Sequence, residues 1–221
     1  YVKSRYVGTV HDDVVYNEQI FGLPLALDSL AVYYNKDLLD KAGIPEAPTD
    51  WGEFMEAVQA ISRFDTEGNI LQSGVALGTG NNIDNAFDIM TLFMVQSGVR
   101  MSQNGQVTFS GGLNPQSYGD HPVVKALNFY VDFARPNKDV YSWNEKQNNA
   151  LEEFVRGKAA FYFGFAYELS TVKARAPQMN LEILPMFQLS EGAGINVANY
   201  WIESVVKKSK HQYEAWDFIQ F

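Results

Sequence analysis

The segment at residues 22–37 constrains this chain most, because two apolar runs flank a polar break there. The run at residues 19–24 ends in a proline, and the run at residues 30–34 is rich in residues that favour strands. Both runs are typical of buried strands. A carboxylate between buried strands is costly unless it faces water, a partner or a ligand. Asp28 is therefore either a turn residue or a ligand-binding residue, and its spacing leaves both interpretations open.

Strand-like and helix-like patterns alternate over most of the remaining sequence. Capping-box patterns predict helix starts at Asp50 and Ser209, and the segment at residues 85–96 is apolar nearly all round, which predicts a deeply buried helix. Asn104, followed by glycine, predicts a hairpin turn. Residues 1–18 show no clear period and are predicted to be a surface segment that leads into the first strand. Further strands are predicted at residues 74–77, 159–163 and 181–184. This order predicts an α/β fold.

Composition excludes several classes of function. With 221 residues, 46% of them hydrophobic, the chain can bury a sizeable core. The formal net charge of −9 argues against nucleic acid and against an anionic membrane surface as partners. The lack of cysteine excludes disulfides and thiol chemistry, and no apolar run approaches the ~20 residues of a membrane span. We interpret both termini as cut ends, so a missing leader says nothing about export.

No sequence pattern demands catalysis, and we predict a protein without enzyme activity, cofactor or metal. The three histidines are far apart and lack metal-ligand spacing. Residues 78–83 resemble a dinucleotide fingerprint, but Ile83 occupies the position of its third glycine. Asn81 and Asn82 would still be presented at a helix start, where a polar ligand can be held. An enzyme with a polar site there is the alternative from a different class, and turnover would distinguish it.

Several aromatic residues fall where a strand ends or a loop begins, rather than inside an amphipathic stripe. They are Trp143, Phe165, Tyr167, Tyr200 and Trp201. Each either packs in the core or presents a flat face to a ligand. Tyrosine and tryptophan combine an apolar face with a polar edge. Such faces beside Asp and Asn side chains suit a sugar ring, whose C–H groups stack while its hydroxyls meet carboxylate and amide.

Four segments, in order, carry motifs of one known family. GLPLALDSLAVYYNKDLL at residues 22–39 resembles its hinge-crossing segment, and PTDWGEF at residues 48–54 resembles one of its helix starts. FVRGKAA at residues 154–160 resembles a further family element. Residues 201–219, with KKSK and EAWDFI, resemble its second hinge strand and the helix that follows. The family is the extracellular solute-binding proteins of the maltose-binding type, which serve ATP-driven importers.

The resemblance implies an α/β fold of the periplasmic-binding-protein type II kind, with two lobes, a ligand cleft between them and hinge strands that cross twice. Residues 30–189 would form a nearly complete second lobe. Residues 1–29 and 190–221 would form hinge segments and part of the first lobe. The chain resembles the middle of such a protein, so we expect exposed apolar surface where the first lobe lacks its other parts, with Trp216 and Phe218 as candidates.

The resemblance also implies positions for ligand contact. Asp28 lies at the carboxylate position that binds sugar hydroxyls in maltose-type members, and Tyr167 lies at the aromatic-platform position. Here Asp is shorter than the family's Glu and Tyr is smaller than its Trp, so the identity of the sugar does not transfer. Trp143 is added because of its placement in a loop. The full predicted ligand-binding set is Asp28, Ser29, Asn81, Asn82, Trp143, Tyr167, Tyr200 and Trp201.

The predicted function is capture of a sugar or oligosaccharide outside the cytoplasm, without chemistry. The expected partners are the solute and the membrane permease of an ABC importer, and a monomer fits this mechanism. A lipid anchor before Tyr1 is left open. A peptide or polyamine is the alternative solute, since Asp28 could pair with a cation inside an aromatic box. A third alternative is a degenerate relative without ligand, which would hold Asp28 in an internal salt bridge and pack its aromatic residues away.

Overall fold

The structure, a computed structural model, describes residues 1–103, 105–189 and 194–221. The chain divides into two units: unit 1 comprises Tyr1–Asp28 and Ala198–Phe221, and unit 2 comprises Ser29–Val197. Both combine helices with strands, as the α/β prediction requires. That these units are pieces of two lobes of a binding protein stays a prediction.

The helices within the described residues are α1 (Val2–Arg5), α2 (Gly8–Val14), α3 (Lys36–Lys41), α4 (Trp51–Ile61), α5 (Ala86–Gln96), α6 (Pro122–Asp132), α7 (Ala150–Val155), α8 (Leu169–Arg175) and α9 (Gln212–Gln220). The strands are β1 (Val15–Tyr16), β2 (Gln19–Ile20), β3 (Leu23–Pro24), β4 (Asp28–Asn35), β5 (Arg63–Phe64), β6 (Ile70–Val75), β7 (Ser102–Gln103), β8 (Gln106–Val107), β9 (Ala159–Phe165), β10 (Leu181–Pro185), β11 (Ala198–Asn199) and β12 (Ile202–Glu203). Short 3₁₀ helices lie at Tyr118–Asp120 and Ala166–Glu168.

Unit 2 is built on a sheet whose strands follow the order β10–β4–β9–β6–β5. Strand β9 runs parallel to β6 and antiparallel to β4, and the two outer pairs are antiparallel. All seven residues of β9 are buried, which suits its unbroken apolar sequence and its central place in the sheet. The register pairs Leu30 with Phe165, so the carboxyl end of β9 lies beside the first residues of β4.

An aromatic cluster fills the core of unit 2. Trp51, the first residue of α4, packs edge-on against the rings of Phe54, Phe93, Phe129 and Phe187, with ring centroids 5.0 to 5.6 Å apart. This geometry is favourable for aromatic pairs and adds to the burial of their area. The cluster thereby holds α4, α5 and α6 together.

The predicted cap at the start of α4 is confirmed. Asp50 Oδ1 accepts a hydrogen bond from the Glu53 backbone N–H at 2.9 Å. Glu53 Oε2 in turn accepts from the backbone and the hydroxyl of Thr49, both at 2.8 Å, rather than from Asp50. Residues 48–54 therefore fix the start of α4 through local bonds, and this places Trp51 in the core.

Unit 1 has a small core of its own, formed by Val2, Val10, Val14 and Leu23. Residues 1–18 are therefore not only a surface segment, because α1 and α2 supply three of these side chains. The two helices are too short to show a clear period in the sequence. Trp216 of α9 is half-buried against this core, whereas Phe218 is 82% exposed. Exposed apolar surface on α9 is thus confirmed for Phe218 and not for Trp216.

Other predictions need correction. Asp28 is the first residue of β4, not part of a break between two strands, and the apolar run at residues 19–24 is divided between β2 and β3. Helix α5 is mostly buried, but Phe87 in its first turn is 74% exposed. The helix predicted to start at Ser209 begins at Gln212, and no side chain caps it.

The predicted hairpin turn at Asn104 lies outside the described residues, and β7 pairs with β8 on either side of it. No helix among the described residues combines the length and the apolar character needed to span a membrane.

The first testable prediction concerns the aromatic core. Replacing the fully buried Phe54 in a Phe54→Ala variant leaves a cavity among packed rings and should lower the free energy of unfolding by about 3–5 kcal/mol. Urea unfolding measures this change. Phe87→Ala is the matched control, since its exposed ring should cost no more than about 0.5 kcal/mol. Equal losses in both variants would contradict the described core.

Candidate ligand-binding surface

The carboxyl end of β9 presents an aromatic platform at Tyr167. After Phe165 the chain turns into the 3₁₀ helix Ala166–Glu168, which leaves the Tyr167 side chain 62% exposed. The Tyr167 ring lies nearly parallel to the Phe165 ring, with an interplanar angle of 9° and a centroid distance of 5.9 Å. Phe165 is only 1% exposed. One face of Tyr167 therefore rests on the core while the ring remains accessible, as a stacking platform requires.

A buried polar network lies directly beneath this platform. Tyr162 donates its hydroxyl to Glu168 Oε2 at 2.8 Å, and Asn85 Nδ2 lies 3.3 Å from Glu168 Oε1. Asn85 Nδ2 also contacts the Phe163 carbonyl oxygen at 3.3 Å. The network joins β9, the residue before α5 and the 3₁₀ helix that carries Tyr167. The residues on either side of Tyr167 are therefore anchored to the sheet.

Burial dominates the electrostatics of this network. It raises the pKa of the Glu168 carboxyl above its usual range, and the negative charge of Asp84 acts in the same direction. Hydrogen bonds from Tyr162, Asn85 and Tyr167 oppose that rise. Burial and the nearby Glu168 carboxylate also raise the pKa of the Tyr162 phenol far above its usual range, so Tyr162 stays a hydrogen-bond donor.

Asn82 organises the neighbouring loops. Its Oδ1 accepts from the Thr79 hydroxyl and from Trp143 Nε1, at 2.5 and 3.1 Å. Its Nδ2 donates to the carbonyl oxygens of Asn144 and Gln147, both at 3.0 Å. These bonds engage both ends of the side-chain amide. Asn82 therefore acts between loops rather than as a group presented to a ligand.

Trp143 is a core residue, and the prediction that it contacts ligand is corrected on this point. Its side chain is fully buried, and its Nε1–H is satisfied by Asn82. A fully buried ring has no free face for a sugar. Asn81 is different, because it is exposed and contacts only Glu145 Oε1, at 3.3 Å, among the described residues. The Asn81 amide is thus accessible to solvent, and its contact with a ligand stays a prediction.

The other predicted residues lie at the unit boundaries. Asp28 in unit 1 and Ser29 in unit 2 are both half-buried. In unit 1, Tyr200 donates its hydroxyl to Asp13, and burial together with this bond raises the pKa of Tyr200 to about 12. Trp201 is 86% exposed. Tyr167 and Trp201 are therefore the predicted aromatic residues that combine a large ring with high exposure.

Cavity volume does not single out these residues. A cavity of about 410 Å³ in unit 2 lies between residues 44–49 and α4, and none of the predicted residues lines it. A cavity of about 210 Å³ in unit 1 is bordered by Trp216 and also contains none of them. Among the described residues, no group of side chains could hold a metal ion. The case for Tyr167 thus depends on ring exposure and its support, not on enclosure.

Reasoning from the sequence missed the network that supports the platform. In the sequence, Asn85 indicates only a helix start and Tyr162 only a buried strand. Glu168 directly follows the predicted platform residue Tyr167, and a glutamate three residues after an apolar strand is the available signal. The signal was weak, because the partner Asn85 is 83 residues away in the sequence.

A family comparison defines the class of protein. A model described as bacterial extracellular solute-binding protein matches residues 3–221, which is nearly the whole chain. The chain therefore belongs to the family of bacterial extracellular solute-binding proteins. The predicted family resemblance is confirmed, and the family is one of binding proteins rather than enzymes.

Two relatives illustrate this membership. A protein of Brucella abortus (strain 2308), whose name describes it only as a binding protein, is 26% identical over 99% of this chain and 50% of its own length. The multiple sugar-binding protein of Streptococcus mutans is 25% identical over 93% of this chain and 47% of its own length. The chain thus spans about half the length of the curated relatives it matches.

Solved structures confirm the fold. The GacH receptor of Streptomyces glaucescens, determined without ligand and with acarbose, aligns with a TM-score of 0.69 at 24% identity, over 98% of this chain and 52% of that one. UgpB of Mycobacterium tuberculosis, in complex with glycerophosphocholine, aligns with a TM-score of 0.68 at 17% identity, over 98% and 50%. At these identities the likeness concerns the fold alone.

The second testable prediction compares the adjacent asparagines. Asn82→Ala leaves the buried Trp143 Nε1–H and two loop carbonyls without their partner, and should lower the free energy of unfolding by roughly 2 kcal/mol or more. Asn81→Ala is the matched control and should cost less than about 0.5 kcal/mol, because Asn81 is exposed. Thermal unfolding of both variants measures the difference. A larger loss in Asn81→Ala would contradict the assigned roles.

Proposed function

We propose that this chain is part of an extracytoplasmic sugar-binding protein that serves an ABC importer. The whole protein would bind a sugar or oligosaccharide as a monomer, without chemistry, and present it to a membrane permease. The extracellular description of the family and the sugar-binding relative support this proposal. The same proposal includes a lipid anchor before Tyr1, which would hold the protein at the cell surface. The sequence before Tyr1 in the whole parent protein tests this part of the proposal.

The observation that carries the proposal is the platform at Tyr167. Its exposed ring is backed by Phe165 and anchored through Glu168 to two neighbouring elements. Sugars expose C–H groups on a ring face, and these groups can pack against the flat face of an aromatic ring. A supported ring also loses little conformational freedom on binding, which favours affinity.

Polar contacts would complete the site. Asp28, at the position where the family resemblance implies a sugar-binding carboxylate, would accept hydrogen bonds from hydroxyl groups, with Ser29 beside it. Asn81 would add an amide, and Trp201 would add a second exposed ring. In the cleft that the resemblance implies, these groups would favour a closed state by contacts that only that state completes. The Tyr200 hydroxyl is already bonded to Asp13, so Tyr200 would contact the ligand with the edge of its ring.

The test is calorimetric titration of the whole parent protein with a panel of mono- and oligosaccharides, with spermidine and a dipeptide as the competing classes. Saturable binding of a sugar that is lost in Asp28→Ala supports the proposal. A response to spermidine alone would instead favour the cation alternative, which the net charge of −9 makes the strongest competitor. Silence across the whole panel would leave a non-binding relative as the better account.

The third testable prediction concerns the platform itself. Tyr167→Ala removes the exposed ring and should weaken sugar binding by about tenfold or more, while Tyr167→Phe keeps the ring and should retain part of the affinity. Tyr118→Ala is the matched control, because Tyr118 is also an exposed tyrosine of unit 2 and lies in the other 3₁₀ helix, Tyr118–Asp120. The same calorimetric titration measures all three. Wild-type affinity in Tyr167→Ala would exclude Tyr167 from the site.

A further inference from the structure

Glu168 occupies an unusual position for a glutamate. It is only 8% exposed, although it lies where the 3₁₀ helix passes into α8. A carboxylate at a helix start commonly caps the helix, but the Glu168 side chain caps no backbone N–H of α8. It points instead into the sheet, beneath Tyr167. The side chain therefore serves contacts in the interior rather than the helix that begins beside it.

These contacts all donate to the carboxylate. Tyr162 donates its hydroxyl to Oε2 at 2.8 Å, and Asn85 donates from Nδ2 to Oε1 at 3.3 Å. A hydrogen bond from the Tyr167 side chain also reaches the carboxyl group. The carboxylate thus joins the platform residue itself to β9 and to the start of α5.

Gly164 makes this approach possible. A Cβ at this position would lie 2.2 Å from Glu168 Oε2 and 2.5 Å from Tyr162 Cε1, and real Cβ atoms do not come so close to other atoms. Only glycine lets the carboxylate pack against the backbone of β9 beside the Tyr162 ring. The close contact with Glu168 gives a physical reason for a glycine at this position in β9.

Within the described part of the chain, no positive group pairs with the buried charge. The titratable groups that face it are the hydroxyls of Tyr162 and Tyr167 and the carboxylate of Asp84, whose charge is of the same sign. A glutamine of the same shape would avoid the cost of burying this charge, but it would turn an NH₂ group toward one of the donors. The carboxylate therefore matches the donors around it.

We propose that Glu168 is a positioning residue for the Tyr167 platform, which it holds in the ligand-binding orientation through hydrogen bonds that its two carboxylate oxygens accept. The inference rests on the proposed function insofar as Tyr167 contacts the solute. Glu168 itself lies beneath the platform and touches no ligand.

Solution pH then becomes a readout of the positioning role. Three neighbouring groups donate to the ionised carboxylate, and a protonated carboxyl would have to donate one bond itself. Burial raises the pKa of Glu168 above its usual range, so this change occurs at a less acidic pH than for an exposed glutamate. Affinity for the solute should therefore fall as the pH decreases through that raised pKa.

Stability should follow the opposite trend. Because the pKa of Glu168 is higher in the folded than in the unfolded chain, its ionisation destabilises the fold as the pH rises through the folded pKa. Glu168→Gln cannot ionise, so its stability should lack this decrease as the pH rises. Weaker binding at a pH where Glu168→Gln is still fully folded separates positioning from simple maintenance of the fold.

The fourth testable prediction measures binding of the best sugar from the panel between about pH 5 and pH 8 in the whole protein. Glu168→Gln offers one acceptor oxygen instead of two, so its affinity at the upper pH should be about three- to tenfold below wild type. It should also lose the wild-type decrease at low pH. Glu153→Gln is the matched control, because Glu153 is equally buried but lies near Arg156 and Lys158, and it should keep the wild-type profile.

A second measurement without ligand keeps this test independent of the sugar proposal. Amide hydrogen exchange of residues 164–169 should be faster in Glu168→Gln than in wild type and unchanged in Glu153→Gln. If no sugar binds but exchange behaves in this way, the proposed function fails and the positioning role survives. Sugar binding with an identical pH profile in wild type and Glu168→Gln would overturn the positioning role, and so would identical exchange rates.

Discussion

The antiparallel pairing of β4 with β9 is the constraint on which the rest of unit 2 depends. Its register brings Leu30 opposite Phe165, and the Tyr33 hydroxyl donates to the Phe165 carbonyl oxygen at 2.6 Å. A shift of one residue would turn every side chain of β9 to the opposite face of the sheet. The pairing therefore fixes where β9 ends, and the end of β9 determines where Tyr167 emerges.

Buried polar groups then hold the loops near Tyr167 in one arrangement. Asn82 joins the loop after β6 to the loop that carries Trp143, and Glu168 joins the platform to β9 and α5. Each lies close to a predicted ligand residue, and each replaces water with protein hydrogen bonds. Such networks cost free energy if any member is unsatisfied, so they specify one local arrangement. The accessible aromatic ring is thus held by groups that are not themselves accessible.

Sequence patterns predicted the elements that depend on local signals. The cap at Asp50 and the buried run of β9 are local in this sense, and the family motifs placed the chain in its class before any geometry was known. The role of Trp143 could not be predicted in this way. A tryptophan in a loop looks the same in sequence whether it faces solvent or the core, and only the partner Asn82, 61 residues away, decides the outcome.

The residues of the candidate site also divide into those with a local sequence signal and those without one. Tyr167 was predicted because the motif resemblance marked its position, whereas Glu168 and Asn85 were missed because their contact joins distant segments of the chain. The short helices α1 and α2 were missed for another reason, since four and seven residues are too few to display a helical period. Contacts between residues far apart in the sequence, and helices too short to show a period, are thus the two features that the sequence does not predict.

The most direct test of the central claim is a crystal structure of the whole parent protein with the tightest-binding sugar of the panel. The account predicts a sugar ring whose C–H face lies about 4 Å from the exposed face of Tyr167. It also predicts that Glu168 beneath the ring still accepts from Tyr162 and Asn85. A sugar ordered elsewhere, with Tyr167 exposed to solvent as in the free chain, would contradict the account.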